Sequence, residues 1–310
     1  MKIAIIGQQD FGKAVLDAFL KRGTEIAGVF CAPEKAGAKA DPLRAAAQEK
    51  GITVHQFKSL RGEDAHAALK ALNVDLGIMA YVLQFAPDSF TQIPKQGTIQ
   101  YHPSLLPKYR GPSSINWPII RGDRRTGLTI FRPNEGLDEG PIVLQKECEI
   151  GPDDTLGDVY FNKLFPMGVE AMLEAADLVA AGNASARAQD ESQASYEGWC
   201  RDGEARINWA THVDFTYNVI RGCNPAPGAW TTLNGQKVQI FDARKHAFRR
   251  YADVTGKIGE VSNVTDTSFR ITAQGGAIEV LRARGADGKK VSGGDFAKVH
   301  GLANGTLFGT

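Results

Sequence analysis

"KIAIIGQQDFGKAVLDAFLKRGTEIAGVF", residues 2–30, decides the fold. Positions 2–7 form a compact apolar run that stops at a glycine, the pattern of a strand buried on both faces. Phe11, Val15, Ala18 and Phe19 then recur at helical spacing. Positions 25–30 are strand-like again. Strand, helix and strand in so short a span predict a βαβ unit, and therefore a parallel sheet.

The alternation continues outward. Residues 41–51 predict a helix with Asp41 as cap, Pro42 in the first turn and Gly51 as stop. Strands are expected at 53–57, 76–81 and 97–102, with a helix near 63–72. Residues 113–122 read as helix, capped by Ser113 or Ser114, with Pro118 near a kink. Strands follow at 126–132 and 141–150. A long amphipathic stretch, 153–182, is divided by Pro166. The small, polar stretch 183–195 reads as a linker. Beyond it, Val213, Tyr217 and Ile220 mark one short helix. Short strands with turn signals come next, at 229–233, 237–243, 257–264, 268–272 and 277–283. The expected organisation is α/β: a Rossmann-like parallel-sheet domain over 1–203 and a smaller barrel-like (OB-like) β-domain over 204–310.

The segment "GQQDFG" (7–12) sits at the first strand-to-helix turn. It lacks the middle glycine of G-x-G-x-x-G and the Lys-Ser/Thr of a P-loop, so it reads as a turn. At 43% hydrophobic and net charge +1 over 310 residues, the composition is that of a soluble globular protein. No apolar run is long enough to span a membrane, and the start lacks a signal-peptide core, so a cytoplasmic protein is expected. The charge is unevenly divided. Residues 1–203 carry 22 basic and 26 acidic side chains, net −4; residues 204–310 carry 14 and 9, net +5. That second part keeps nucleic acid among the candidate partners. Cys31, Cys148, Cys200 and Cys223 show no C-x-x-C, so reduced thiols are expected rather than a zinc site or disulfides.

Ligands of open parallel sheets bind beyond the carboxyl ends of the strands. Three such loops are informative: 80–84, the strand end at His102, and "NEGLDEGP" (134–141), which sets Asp138 between Gly136 and Gly140. A histidine and a carboxylate on neighbouring loops suit acid–base chemistry. A serine nucleophile at Ser104 lacks a G-x-S-x-G elbow. A metal site would need more ligands than this pair offers.

The stretches "YHPSLLPKYRGPSSINW" (101–117) and "GLDEGPIVLQKECEI" (136–150) resemble the formyltransferase family that uses 10-formyltetrahydrofolate. His102 and Asp138 stand 36 positions apart, the family's separation of its catalytic His and Asp. The resemblance extends through "INW" (207–209) and "NVIRGCNPAPGAWT" (218–231). "YHPSLLP", "LQKECE", "PDDT", "LFP" and "YEG" point toward the hydrolase domain of 10-formyltetrahydrofolate dehydrogenase, and methionyl-tRNA formyltransferase is similar as well. Most of the family carries Asn-x-His where this chain has Gln100-Tyr101-His102; the hydrolase domain has an apolar residue at the first position.

The resemblance implies 10-formyltetrahydrofolate as formyl donor, no metal, and catalysis by His102 and Asp138 with Gln100 as a candidate oxyanion donor. It implies a folate pocket lined by Ala80, Tyr81, Val82, Leu83, Gln84 and Phe85, by Ser104, Leu105, Leu106 and Pro107, and by Glu135, Gly136 and Leu137. Hydrolysis to formate is the first expectation. Transfer to methionyl-tRNA, with Lys245, Arg249 and Arg250 of the second domain on phosphates, is the next, then transfer to an amino-sugar nucleotide. A folate-binding protein without activity is the non-enzymatic alternative.

Overall fold

The computed structural model describes residues 1–309. The chain forms two compact units whose segments interleave. The first comprises Met1–Gly111, Gly127–Cys148 and Lys163–Tyr196; the second comprises Pro112–Thr126, Glu149–Asn162 and the chain from Glu197 onward. This differs from the expected single boundary after residue 203.

The first unit is built on a seven-stranded sheet. In chain order its elements are β1 (Lys2–Gly7), α1 (Gln9–Lys21), β2 (Glu25–Cys31), α2 (Pro42–Glu49), β3 (Val54–Gln56), α3 (Glu63–Ala71), β4 (Leu76–Ala80), α4 (Asp88–Thr91) and β5 (Thr98–His102). After α5 (Asn116–Arg121) come β6 (Arg125–Phe131) and β7 (Ile142–Glu149). The sheet order is β3-β2-β1-β4-β5-β6-β7. The first five strands are parallel, and β6 pairs antiparallel with β5, Gln100 opposite Phe131 and His102 opposite Thr129.

Side chains along β1 alternate between two cores, as the pleat requires. Ile3 and Ile5 join Phe11, Val15, Phe19 and Met172, whereas Ala4 and Ile6 join Phe30, Met79 and Phe90. The first core is closed by α7 (Phe165–Ala180), which follows the short helix α6 (Leu156–Val159) and a π-helical turn over Tyr160–Leu164. Pro166 thus lies in the first turn of α7, directly after that π-helical turn. Pro118 is likewise in the first turn of α5, not at a kink. Neither Ser113 nor Ser114 caps that helix; the Ser113 carbonyl accepts from Asn116 and Trp117, and its hydroxyl accepts from Cys200 N at 2.9 Å.

The turn at "GQQDFG" is closed by internal hydrogen bonds. A Cβ on Gly7 would fall 1.9 Å from Ala80 O, so only glycine lets β1 end beside β4. The Asp41 carboxylate accepts from Gln9 N (3.0 and 2.9 Å) at the start of α1, the place where a phosphate would sit in a dinucleotide fold.

The second unit contains α5 and α6, then α8 (Val213–Gly222), β8 (Ala229–Leu233), β9 (Gln236–Ile240), β10 (Ala243–Ala247), β11 (Val261–Val264), β12 (Phe269–Ala273), β13 (Gly276–Val280), β14 (Arg282–Arg284), β15 (Lys290–Ser292) and α9 (Gly293–His300). Its strands form two four-stranded antiparallel sheets, β10-β13-β12-β11 and β15-β14-β9-β8, around one core. Two runs that read as single strands, 237–243 and 277–283, pass from one sheet to the other at a shared corner. There the Asp242 carbonyl accepts from Leu281 N (2.8 Å) and Arg282 N (3.1 Å). Such corners let two sheets share strands. Helix α5 belongs to this unit because Asn116 Nδ2 donates to Gly222 O (2.9 Å) and Trp117 and Ile120 pack on the β-domain core. All four cysteines are free thiols; the sulfurs of Cys200 and Cys223 lie 3.8 Å apart.

Candidate active site

His102 ends β5 and is 5% exposed. Its Nε2 lies 2.9 Å from Tyr109 O. A carbonyl only accepts, so Nε2 carries a proton and Nδ1 is the nitrogen left to exchange one. Nδ1 faces Asp138 Oδ2 at 3.6 Å. That is ion-pair range, longer than a hydrogen bond. Asp138 Oδ2 also accepts from Gly111 N at 2.9 Å. The pair expected from sequence is therefore brought together, with His102 buried and Asp138 half-buried.

Two loops hold it. The loop 103–111 is stiffened from within. Ser104, fully buried, donates its hydroxyl to Lys108 O (2.7 Å), and Thr129 Oγ1 donates to Ser104 O (2.7 Å) while accepting from Leu106 N (3.1 Å). Gln145 Nε2 donates to Leu106 O (2.8 Å). The Leu106–Pro107 peptide is cis. Leu106 is buried, whereas Leu105 and Pro107 are half-buried and line an open recess of about 540 Å³. The second loop, 132–141, is closed at its base by Arg132 N donating to Pro141 O (2.9 Å). A Cβ on Gly140 would lie 1.7 Å from Arg132 O, so the loop requires glycine there. Asp138 itself has φ +56°, a left-handed conformation that costs a non-glycine residue about 1–2 kcal/mol.

Gln100 precedes His102 by two residues on the strand, so the two side chains share a face. Its amide has no hydrogen-bond partner among the described residues. After β4, Tyr81 (φ +61°, 40% exposed), Leu83 (60%) and Phe85 (40%) present apolar surface, as does Leu137 (50%) on the other loop. Ala80 is buried, and Val82 is half-buried against the core. The polar side chains between them are already used. Gln84 Nε2 donates to Phe57 O (2.8 Å), and Glu135 accepts from Asp88 N (2.9 Å), which ties the 132–141 loop to α4. Gly136 N donates to Asn134 Oδ1 (3.1 Å). Among the described residues, no group of three or more His, Cys, Asp or Glu could hold a metal ion.

The stretch read as a linker is fastened to this site. Arg187 and Ile142 exchange backbone hydrogen bonds (2.7 and 2.9 Å), and Ser195 O accepts from Arg110 N (2.9 Å). Gln189 Nε2 donates to Asp138 O (2.8 Å) and Gly140 O (2.7 Å). Arg110, 6% exposed, is held by Gln189 and by both carboxylate oxygens of Glu191. Its hydrogen bonds with Glu191 raise the Arg110 pKa and lower that of Glu191. Sequence reasoning missed Arg110, Gln189 and Glu191, because no local pattern marks a polar segment that pairs with loops some fifty and eighty residues earlier.

An imidazole–carboxylate pair lies beyond the strand ends of an α/β sheet, in a chain that continues into an antiparallel β-domain, and such a pair suits acid–base chemistry. Residues 1–175 match the formyl transferase family and residues 201–301 the formyl transferase C-terminal domain, so the chain belongs to the formyl transferase family. The cytosolic 10-formyltetrahydrofolate dehydrogenase of Mus musculus is 43% identical over 248 residues, covering 78% of this chain and 27% of that protein. The chain thus spans about a quarter of the dehydrogenases it matches. Methionyl-tRNA formyltransferase of Syntrophus aciditrophicus (strain SB) is 33% identical over 314 residues, covering 100% of this chain and 99% of that one. HypX from Aquifex aeolicus, solved with tetrahydrofolic acid, shares the fold (TM-score 0.69, 19% identity, 97% of this chain and 47% of that one). So does an N-formyltransferase from Helicobacter canadensis, solved with folinic acid and dTDP-3-aminofucose (TM-score 0.69, 18% identity, 91% and 99%).

Proposed function

We propose that this protein releases the formyl group of 10-formyltetrahydrofolate to water. The observation that carries the reading is the His102–Asp138 pair at the end of β5, with the free amide of Gln100 on the same strand face. Over 248 residues the chain is 43% identical to a protein named for 10-formyltetrahydrofolate.

Water adds to the formyl carbon, and the carbonyl oxygen becomes an oxyanion. His102 stands beside that oxygen, and Gln100 Nε2–H adds a second, weaker donor to it. Asp138 accepts a proton from the attacking water and hands it to His102 Nδ1, which passes it to N10 as the C–N bond breaks. The products are tetrahydrofolate and formate, with one proton left to solvent. The pterin packs on the exposed apolar surface of Tyr81, Leu83, Phe85 and Leu137, while Gln84 and Glu135 hold these loops in place.

The test is incubation with 10-formyltetrahydrofolate alone, following tetrahydrofolate and formate together. His102→Ala and Asp138→Ala should each reduce turnover by about 10²–10⁴-fold, the range for a lost acid–base group. Near-normal turnover in either variant would sink the mechanism. A second reading, transfer to an amine, is favoured by the end-to-end match with methionyl-tRNA formyltransferase. It predicts slow formate release that is overtaken by formyl transfer when methionyl-tRNA, or failing that an amino-sugar nucleotide, is supplied. Tight folate binding without either product would mark a binding protein.

A further inference from the structure

We infer that Gln189 is the positioning residue for the His102–Asp138 pair, acting on both loops that hold it. The inference rests on the acid–base reading of that pair.

The argument starts from the amide's hydrogen bonds. Gln189 Nε2 points both hydrogens at one loop, to Asp138 O (2.8 Å) and Gly140 O (2.7 Å). Its Oε1 accepts from the other loop, from Arg110 Nη2 (2.9 Å) and Arg110 Nε (3.3 Å). Carbonyls require the NH₂ end and the guanidinium requires the oxygen, so the four contacts fix the orientation of the amide. No other side-chain type offers two donors and one acceptor in this planar arrangement at this length.

Each anchored residue adjoins one half of the pair. Arg110 lies between Tyr109, whose carbonyl takes His102 Nε2–H, and Gly111, whose N–H holds Asp138 Oδ2. Asp138 is the left-handed residue of its loop. A non-glycine residue keeps that conformation only when its surroundings over-determine it. Gln189 supplies the bond to the Asp138 carbonyl; without it the following peptide can rotate toward the right-handed region and swing the carboxylate away from His102. Gln189 is itself fixed by the Arg187–Ile142 backbone bridge on one side. On the other, Glu191 clamps the same Arg110 at 2.9 and 2.6 Å.

Two variants separate positioning from bulk packing. Gln189→Leu removes every polar contact at similar volume. Gln189→Glu keeps an acceptor for Arg110 but loses both donors to the 138–140 loop. Turnover of 10-formyltetrahydrofolate and amide hydrogen exchange are measured on the whole chain. The expected result in both variants is a 10–100-fold lower kcat with KM within about twofold, since a misplaced acid–base pair costs rate rather than binding. Exchange at the Gly111 amide should accelerate at least tenfold, with amides of β1 and β4 unchanged. A kcat within twofold of wild type, or unchanged exchange at Gly111, would overturn the proposal. Loss of cooperative unfolding in both variants would also overturn it, by making Gln189 a residue of the fold alone. Should the wild type release no formate, the catalytic reading fails, and exchange at Gly111 still decides whether Gln189 holds the pair.

Discussion

Gln100 stands where the formyltransferases this chain resembles carry the Asn of Asn-x-His, and under the proposed mechanism its chemistry bears on which acceptor the site can serve. An amide one methylene longer than Asn keeps the donor but moves it by about 1 Å, enough to cost roughly a hundredfold where alignment is the source of rate. Water needs little alignment, whereas an external amine needs both orientation and a pocket. For hydrolysis, Gln100→Ala should therefore lower turnover by less than about tenfold, because His102 remains beside the developing charge. A loss of 10²–10³ at saturating folate, the usual consequence of removing a principal oxyanion donor, would show that Gln100 does the work of Asn and favour an amine acceptor. His102 and Asp138 were legible because a strand end and two flanking glycines leave a local trace. Gln189 was not, because its partners are loops far away in sequence and its own neighbours are merely polar.

The connection from β2 to α2 shows the same limit for whole elements. Asp41 and Pro42 announced the helix start, and the Asp41 carboxylate does accept from Leu43 N at 2.9 Å. What the local signal could not show is that the same carboxylate closes the α1 N-terminus, or that Glu34 gathers the region. Glu34 accepts from Asp41 N (2.9 Å), Gln56 Nε2 (2.9 Å) and Arg44 Nη1 (2.7 Å). These hydrogen bonds, the Asp41 N–H foremost and then Gln56, lower its pKa from 4.5 to about 2. A depressed carboxylate pKa stabilises the fold above the unfolded value and ceases to do so as pH falls through the folded one. Glu34→Gln should cost about 2 kcal/mol at neutral pH, the scale of hydrogen bonds to a charged group. Urea midpoints compared between wild type and variant should converge as pH drops from about 5 toward 2. A gap that stays constant over that range would mean the carboxylate's charge is not the stabilising feature. The β-domain repeats the lesson: periodicity located the strand runs, but the sheet exchange at Asp242 and Leu281 depends on pairing across some forty residues.

On the scale of the whole molecule, the informative feature is the uneven charge, and the structure narrows which cations are free to use it. Lys245 is engaged by Asp214 at 2.5 Å, so it is a poor phosphate contact despite its place in the basic run. Arg249 and Arg250 donate their backbone N–H groups to Asp253 and leave their side chains exposed. With Lys257, Phe248, Val254 and Ile258 they line an open recess of about 530 Å³. Cations beside apolar surface suit a nucleic-acid backbone and its bases, so this recess is where a tRNA acceptor would register. If methionyl-tRNA is the acceptor, Arg249→Glu and Arg250→Glu should each weaken tRNA binding. Each should also reduce the slope of log affinity against log salt by about one, the signature of one lost phosphate contact. Lys245→Glu should change that slope much less, because the lysine's charge is already matched. Formate release from 10-formyltetrahydrofolate alone should stay within about twofold of wild type in the two arginine variants, since water needs no phosphate contact. Filter binding across a salt series, with turnover measured on the same preparations, distinguishes the cases. An equal slope change for Lys245 would show that Asp214 yields its partner to the nucleic acid. Unaltered affinity in both arginine variants would remove the recess from the tRNA reading and leave water as the acceptor best supported by the site.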